Sequence, residues 1–206
     1  MQLYYAPGAC SLASHIALQE SGLPYQAVRV DLRQKKTSDG GDYNAITSKG
    51  YVPALKLPSG EVLTEGTALL AYIGELQPTR QLIAAPGTLE NYRVREWLAY
   101  IGTELHKTVG PLFYPKTPED ARPVIIESFK ARLRFVNEAL AGRQFLVGER
   151  FTVADAYLYT ILSWLDHLKI GLDEFPNLKA YYDRISARPA VQTVLKAESA
   201  PSGAAH

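Results

Sequence analysis

The sequence predicts two domains of different class, an α/β domain followed by an all-α helical bundle. Residues 1–77 alternate strand-like runs with helical segments, whereas the chain beyond residue 88 shows only the helical period. Between the two patterns lies a stretch with Pro78 and Pro86-Gly87, residues that favour irregular structure. We therefore expect an N-terminal domain at residues 1–78, a linker at 79–87 and a helical domain at 88–206.

The first elements form a β-α-β unit. Gln2 to Tyr5 is typical of a strand, and Ser11 to Glu20 has helical spacing until Ser21-Gly22 ends it. A second strand is predicted at Gln26 to Val30, and the single helical connection places the two strands parallel with a right-handed crossover. The polar stretch from 31 to 50 predicts a loop with one helical turn near residues 42–46.

A hairpin and a helix complete the first domain. Ala54 to Leu57 and Glu61 to Leu63 are apolar runs joined by the turn Pro58-Ser59-Gly60. A helix is predicted from Glu65 to Gln77, where Pro78 ends it. Together with the turn that follows the second strand, this is the β-α-β-α-β-β-α order of a thioredoxin-like domain.

The second half of the chain begins with two long helices. The first is predicted from Leu89 to Val109 and is closed by Gly110-Pro111. The second begins either at the cap Thr117–Asp120 or after Pro123, because a proline does not fit an unbroken helix interior. We expect the tail from 199 to 206, which has no helical period, to be irregular.

A further helix starts at a capping box. Thr152 and Asp155 have the spacing in which each side chain pairs with the backbone of the other, with Asp in place of the usual Glu or Gln. The apolar residues that follow recur at helical spacing, namely Val153, Tyr157, Ile161, Trp164 and Leu168.

Composition excludes several classes of partner. The 206 residues include 22 basic and 21 acidic side chains, so no charged surface for nucleic acid or an anionic membrane is expected. No run approaches the roughly 20 apolar residues of a membrane span, and no signal-peptide pattern opens the chain, so we expect a cytoplasmic protein. One cysteine allows only monothiol chemistry, and four scattered histidines predict no metal site.

Two short phrases and the cysteine predict a ligand site. Val52 precedes Pro53, which opens a strand, so the Val52 N–H and C=O are free to face a peptide-like ligand. Glu65 and Gly66 begin a helix whose unpaired N–H groups suit a carboxylate. Cys10 precedes another helix, whose dipole alone shifts a thiol from a pKa of ~8.5 towards roughly 7.5. The alternative is that Cys10 is a small buried core residue.

The order and spacing of these phrases resemble the cytosolic glutathione transferases, and specifically the bacterial beta class. The segments 99–107 and 151–156 and Trp164 extend the resemblance over nearly the whole chain. It implies a detoxification enzyme, a homodimer that conjugates the glutathione thiol to hydrophobic electrophiles, with glutathione as co-substrate, no metal and a cis peptide bond before Pro53. A cysteine at position 10 favours this class over relatives that use a hydroxyl, so Ser11 is interpreted as a helix cap and Tyr5 as a packing residue.

The resemblance also implies a role for individual residues. Cys10 and His106 are the catalytic candidates. Glu65 pairs with the γ-glutamyl ammonium, the N–H groups of Gly66 and Thr67 bind the adjoining carboxylate, and Glu104 reaches the neighbouring subunit's glutathione. The remaining glutathione-binding candidates are Lys35, Tyr51, Val52, Pro53 and Lys107, and the electrophile pocket is lined by Leu112, Phe113, Tyr114 and Trp164.

Several of these roles have structural alternatives. Glu65 is equally explained as a favourable charge in the first turn of a helix, and Lys35 with Lys36 as a solvated pair. His106 either exchanges a proton near neutral pH or interacts with the end of its helix, and Trp164 either lines the pocket or belongs to the core. Gly66 lacks the hydroxyl that many relatives carry at this position.

The predicted function is glutathione transfer to hydrophobic electrophiles. An alternative enzyme on the same scaffold is a glutathione-dependent reductase or reductive dehalogenase, in which Cys10 attacks a glutathione adduct. A non-enzyme alternative is a protein that stores glutathione or hydrophobic ligands, although storage needs neither Cys10 nor His106.

Overall fold

The computed structural model describes residues 1–200 and begins with a five-stranded mixed sheet. The strands lie in the order β3-β2-β1-β4-β5, in which β1 and β2 are parallel and the other neighbours antiparallel. The elements of this part of the chain are β1 (Gln2–Tyr5), α1 (Ser11–Ser21), β2 (Gln26–Asp31), β3 (Lys36–Thr37), β4 (Ala54–Lys56), β5 (Val62–Thr64) and α2 (Gly66–Leu76).

Local signals explain the ends of α1 and the segment after β2. Gly22 adopts a left-handed conformation, φ 68°, and its N–H donates to the Gln19 carbonyl, which ends α1 where it was predicted to end. The predicted turn near 42–46 is a 3₁₀ turn at Tyr43–Ala45, capped by the Asp42 side chain. Strand β3 was not predicted, because its two polar residues carry no apolar alternation.

The two faces of the sheet pack differently. Alternate residues of β1 point to opposite faces, so Leu3 and Tyr5 pack beneath α1 and α2 while Tyr4 packs with Tyr43 on the other face. The core beneath α1 continues without interruption into the helical part of the chain. This continuity holds α1, and therefore the loop before it, against the second half of the molecule.

In the second half of the described chain, all regular elements are helices. Its helices are α3 (Leu89–Tyr100), α4 (Lys107–Val109), α5 (Ala121–Ala139), α6 (Val153–Leu162), α7 (Leu165–Leu168), α8 (Pro176–Ser186) and α9 (Pro189–Ser199). None of the helices within residues 1–200 is long and apolar enough to cross a membrane. Because α9 runs to Ser199, the first residue of the predicted irregular tail is helical, and residues 201–206 lie outside the described residues.

The predicted helix from Leu89 to Val109 is continuous but not uniform. A π-helical turn at Ile101–His106 separates α3 from α4, and a 3₁₀ turn at Gly110–Phe113 follows. Gly102 lies in the π turn, and a Cβ there would lie 3.3 Å from Thr67 Cγ2 at the start of α2. Such turns are frequent at functional sites. Here the turn itself lies against the start of α2.

The starts of α5 and α6 follow the residue preferences of helix N-termini. Helix α5 begins at Ala121, and Pro123 lies in its first turn, where a missing N–H costs no intrahelical bond. The capping box is confirmed, since the Thr152 N–H donates to Asp155 Oδ2 at 2.8 Å. Helix α6 ends at Leu162, so the predicted single helix through Trp164 and Leu168 is wrong. Trp164 lies in the turn after α6, and Leu168 is the last residue of α7.

Candidate active site

Cys10 occupies the position immediately before α1 and points at the loop of Val52. Its Sγ donates to the Val52 carbonyl at 3.2 Å. Burial raises the pKa of the thiol to about 11, and the backbone N–H groups of Cys10 and Ser11 and the charge of Lys107 offset only part of this shift. The predicted lowering towards 7.5 is therefore wrong. A helix dipole is worth less than about one pKa unit at an ordinary site, and the partial removal of the half-buried thiol from water outweighs it here.

The rival hydroxyl groups are engaged elsewhere. Ser11 is the first residue of α1 rather than its cap, and its fully buried Oγ accepts the Ala6 N–H at 3.1 Å and donates to the Ala6 carbonyl. The interpretation of Ser11 as the helix cap was therefore wrong. Tyr5 packs against His15 with ring centroids 5.1 Å apart, as expected for a packing residue.

The loop before β4 presents backbone groups beside the thiol. The Val52-Pro53 peptide bond is cis. The Val52 carbonyl accepts from Cys10, and the Val52 N–H forms no hydrogen bond with residues 1–200. Tyr51 is 74% exposed, and Lys35 lies beside it, with its Nζ donating to the Gly50 carbonyl at 2.8 Å and 6.0 Å from the Tyr51 ring centroid. The structure thus brings Lys35 to this loop.

Glu65 precedes α2 and is not part of its first turn. Its φ is 70°, a left-handed conformation that costs a residue other than glycine of order 1–3 kcal/mol. Glu65 Oε1 lies 2.6 Å from Lys49 Nζ, and this contact holds the pKa of the carboxyl below its usual value. The explanation of Glu65 as a first-turn helix charge therefore does not apply. Lys49 was not predicted, because no motif marks it.

The first two residues of α2 offer backbone N–H groups next to Glu65. Gly66 and Thr67 begin the helix, so their N–H groups have no intrahelical acceptor. A Cβ at Gly66 would meet only Pro53 Cγ at 4.0 Å, so the position has room for a side chain. This end of α2 combines free donors, the positive end of the dipole and a carboxylate, which suits a zwitterionic amino-acid group.

His106 is half-buried and contacts two aromatic residues of the helical part of the chain. Its Nδ1 lies 2.7 Å from the Tyr157 hydroxyl, and its ring packs 5.0 Å from that of Trp164. Burial, with a smaller contribution from Lys107, lowers the pKa of His106 to about 4. The prediction that His106 exchanges a proton near neutral pH is therefore wrong for the unliganded protein.

Tyr157 was predicted only as a helix-spacing residue, yet it belongs to the site. Burial raises the pKa of its hydroxyl, and the charges of Cys10 and Glu65 raise it further. The Tyr157 Oη also lies 3.7 Å from the position of a Cβ on Gly102. No local pattern distinguishes such a tyrosine from a core residue, because its partners come from other elements.

Lys107 and Glu104 lie on the same helical run as His106. The charge of Lys107 lowers the pKa of Cys10, Glu65 and His106, which places it on the side of the thiol. Glu104 instead forms an ion pair with Arg132 of α5, 3.0 Å from its Nε, at a partly exposed position. Its predicted role towards a neighbouring subunit stays a prediction.

An aromatic cluster joins the thiol loop to the helical domain. The Trp164 Nε1–H donates to the Gly8 carbonyl at 2.8 Å, two residues before Cys10. Phe113 is 40% exposed, packs 5.3 Å from Trp164 and stacks on His167 with an interplanar angle of 2°. His167 was not predicted.

The four predicted pocket residues differ in how far they are exposed to solvent. Trp164 and Phe113 are in contact, and Tyr114 is exposed, whereas Leu112 is buried within the core. The 3₁₀ turn directs Leu112 inward, and Trp164 is also buried in the core at 9% exposure, so the pocket roles of both residues stay predictions.

Two cavities lie away from the thiol. One of about 610 Å³ lies between the end of α2, the linker and the loop before α6. The other, of about 510 Å³, lies between β5, α2 and α3, and Thr67 is the only predicted site residue that lines it. Within residues 1–200, no group of three or more His, Cys, Asp or Glu side chains is arranged to hold a metal ion.

Both halves of the chain match known models of one protein family. The family descriptions "Glutathione S-transferase, N-terminal domain" and "Glutathione S-transferase, C-terminal domain" match residues 8–76 and 102–189. Glutathione S-transferase GstA of Escherichia coli O157:H7 is 47% identical over 198 residues, which cover 96% of this chain and 98% of that protein.

Solved structures agree with this result. A sphingomonad glutathione S-transferase complexed with glutathione matches with a TM-score of 0.95 at 45% identity, over 98% of this chain and 100% of that one. A bacterial beta-class glutathione S-transferase of Sphingomonas chungbukensis matches with a TM-score of 0.93 at 43% identity, over 97% and 99%.

Proposed function

This chain belongs to the glutathione S-transferase family, in its bacterial beta class, and from that premise we propose how its candidate site handles glutathione. The γ-glutamyl ammonium pairs with Glu65, and the adjoining carboxylate accepts from the N–H groups of Gly66 and Thr67. The cysteinyl unit pairs with the backbone of Val52. The glycine carboxylate lies at the other end of the loop, near Lys35 and Tyr51.

One observation carries this arrangement, the hydrogen bond from Cys10 Sγ to the Val52 carbonyl at 3.2 Å. A peptide that pairs with Val52 as an added strand segment places its own cysteine beside that carbonyl. The sulfur of bound glutathione therefore lies next to Cys10. Since glutathione competes for the same carbonyl, its binding frees the Cys10 thiol to turn towards the ligand sulfur.

The protonation state of Cys10 favours conjugation over reduction. A thiol with a pKa of about 11 is protonated at neutral pH, so it donates a hydrogen bond and is a weak nucleophile. In conjugation, glutathione loses its thiol proton to solvent and its thiolate attacks the electrophile, while Cys10 and Lys107 stabilise that thiolate. Reduction or reductive dehalogenation requires Cys10 itself to attack a glutathione adduct as a thiolate.

The test compares two reactions on wild-type, Cys10→Ser and Cys10→Ala proteins. Initial rates are measured for conjugation of glutathione with an activated aryl halide, in which the thiolate displaces halide ion, and for glutathione-dependent reduction of a low-molecular-weight disulfide. We expect conjugation to be the faster reaction in wild type. It should persist in Cys10→Ser, which still donates a hydrogen bond, and should be slower in Cys10→Ala than in Cys10→Ser. Disulfide reduction faster than conjugation would favour the reductase, and binding without either reaction would favour a storage protein.

We also propose a homodimer joined through α3 and α5. Trp97, Tyr100 and Phe135 form an aromatic cluster across these helices, with ring centroids 5.1 to 6.0 Å apart, and Phe135 is 52% exposed. Such a cluster on a surface suits burial against a second copy. Glu104 lies on the same helical run, where it can approach the neighbour's glutathione. Sedimentation at micromolar concentration should show twice the 22.7 kDa chain mass, and a monomer alone would contradict the proposal.

The aromatic residues beside the thiol loop indicate the class of substrate. Phe113 and Trp164 form an aromatic wall beside the thiol loop, so we propose that the acceptor is a hydrophobic electrophile. A cytoplasmic location stays a prediction from the sequence.

A further inference from the structure

The carboxylate of Glu65 already forms an ion pair with a lysine of the same chain, Lys49. Lys49 Nζ lies 2.6 Å from Glu65 Oε1 and donates to Thr64 Oγ1 at 3.0 Å. Lys49 belongs to the segment that leads into Tyr51 and Val52, whereas Glu65 precedes α2. The ion pair therefore closes across the two segments to which the proposed function assigns glutathione.

The occupying group has the same chemistry as the expected ligand group. A lysine side chain and the α-amino end of glutathione both present a compact ammonium with three N–H donors. Two ammonium groups on one carboxylate repel each other, and each weakens the hydrogen bond of the other. A ligand ammonium that binds Glu65 therefore competes with Lys49.

Lys49 can leave at small cost. Its side chain is 49% exposed and that of Glu65 68% exposed, so the pair is screened by solvent and contributes little stability. After release, the ammonium is solvated and keeps Thr64 Oγ1 within reach. An exchange of one ammonium for another is thus feasible without rearrangement of the fold.

We propose that Lys49 is an internal competitor for the γ-glutamyl ammonium, which holds Glu65 in the empty site and lowers the affinity for glutathione. This inference rests on the proposed function, because it needs Glu65 to receive that ammonium. It also makes Lys49 a specificity-determining residue. A ligand with the α-amino group displaces Lys49, whereas a ligand without it leaves the Lys49–Glu65 pair intact and gains nothing from Glu65.

The affinity change follows from the strength of an exposed ion pair. The Lys49→Met substitution keeps the aliphatic stem and removes the charge, so glutathione should bind up to about fivefold more tightly. The salt dependence should also change. In wild type one ammonium replaces another, so screening largely cancels, whereas in Lys49→Met a new ion pair forms and glutathione affinity falls more steeply with ionic strength.

The experiment is isothermal titration with two ligands, glutathione and its desamino analogue, glutaryl-cysteinylglycine. Lys49→Met should tighten glutathione and leave the analogue unchanged, and Lys49→Gln should do the same. Lys130→Met is the matched control, because it removes another 2.6 Å Lys–Glu pair, with Glu174, outside the site. In a Glu65→Gln background, Lys49→Met should have no effect.

The outcomes separate this inference from the function on which it rests. Unchanged or weaker glutathione binding in Lys49→Met, or an equal gain for both ligands, would overturn the role of Lys49 while the glutathione site stands. Glutathione binding in none of the variants would overturn both.

Discussion

Burial keeps the Cys10 thiol protonated at neutral pH. Burial raises its pKa from 9.0 to about 11, which at any pH below 9 leaves roughly 100-fold fewer thiolates than an unburied cysteine. A more basic thiolate is intrinsically more nucleophilic, by somewhat under tenfold for two pKa units. The free protein should therefore react with a soluble disulfide roughly an order of magnitude more slowly than the unfolded chain.

The assay is a pH–rate profile read by intact-protein mass spectrometry. The chain has one cysteine, so a single mass increment reports Cys10 alone. In native protein the rate should rise about tenfold per pH unit up to pH 10 without a plateau, whereas in denaturant it should level off near pH 9. A native plateau by pH 8 would show that the α1 dipole and Lys107 outweigh burial, and would refute this account of the thiol.

Three further perturbations test neighbouring parts of the site. The pKa of His106 is about 4 in the folded protein against 6.5 in the unfolded chain, so the unfolded state binds more protons and the protein loses stability as the pH is lowered. His106→Asn should remove about 2 kcal/mol of the loss in unfolding free energy between pH 7.5 and pH 5. An equal loss in wild type and variant, measured by denaturant titration at the two pH values, would contradict this. Gly66→Ala should stabilise the fold by roughly 0.4–1 kcal/mol, because the position is helical and has room for a side chain. Gly66→Ser should in addition bind glutathione up to about fivefold more tightly than Gly66→Ala, because its hydroxyl adds a hydrogen bond. Equal glutathione affinity of the two variants in a titration would count against the binding mode. Phe113→Ala should raise the KM for an aromatic electrophile about two- to tenfold with glutathione affinity unchanged, whereas Tyr92→Ala, at an exposed aromatic residue of α3, should leave both constants unchanged. An equal rise of the KM in both variants would remove Phe113 from the pocket.

The predictable parts of the fold are those with a local physical signal. Gly22 ends α1 because it reaches a left-handed conformation at no steric cost, and Thr152 with Asp155 starts α6 through mutual caps. The π turn at Ile101–His106 had no such signal. It exists where Gly102 approaches Thr67 of α2, a contact between segments far apart in the chain.

The same division runs through the site. Cys10, Val52 and Glu65 were found because each stands next to a helix start or a proline. Lys49 and Tyr157 were missed, since only the tertiary fold brings Lys49 to Glu65 and Tyr157 to His106. The pKa of Cys10 was predicted in the wrong direction for the same reason, because the sequence shows the helix that follows it but not the burial that dominates.

The central claim is that Glu65 and the start of α2 receive the γ-glutamyl group of glutathione beside Cys10. Its most direct test is isothermal titration of reduced glutathione into wild type and Glu65→Gln, with Glu61→Gln, a charge removed from the nearby hairpin turn, as the matched control. We predict one site per chain in wild type, unchanged affinity in Glu61→Gln and a loss of about 1–2 kcal/mol, roughly 5- to 30-fold, in Glu65→Gln, because a charge-assisted hydrogen bond is replaced by a neutral one. Equal affinity in all three proteins, or no binding by wild type, would contradict the account.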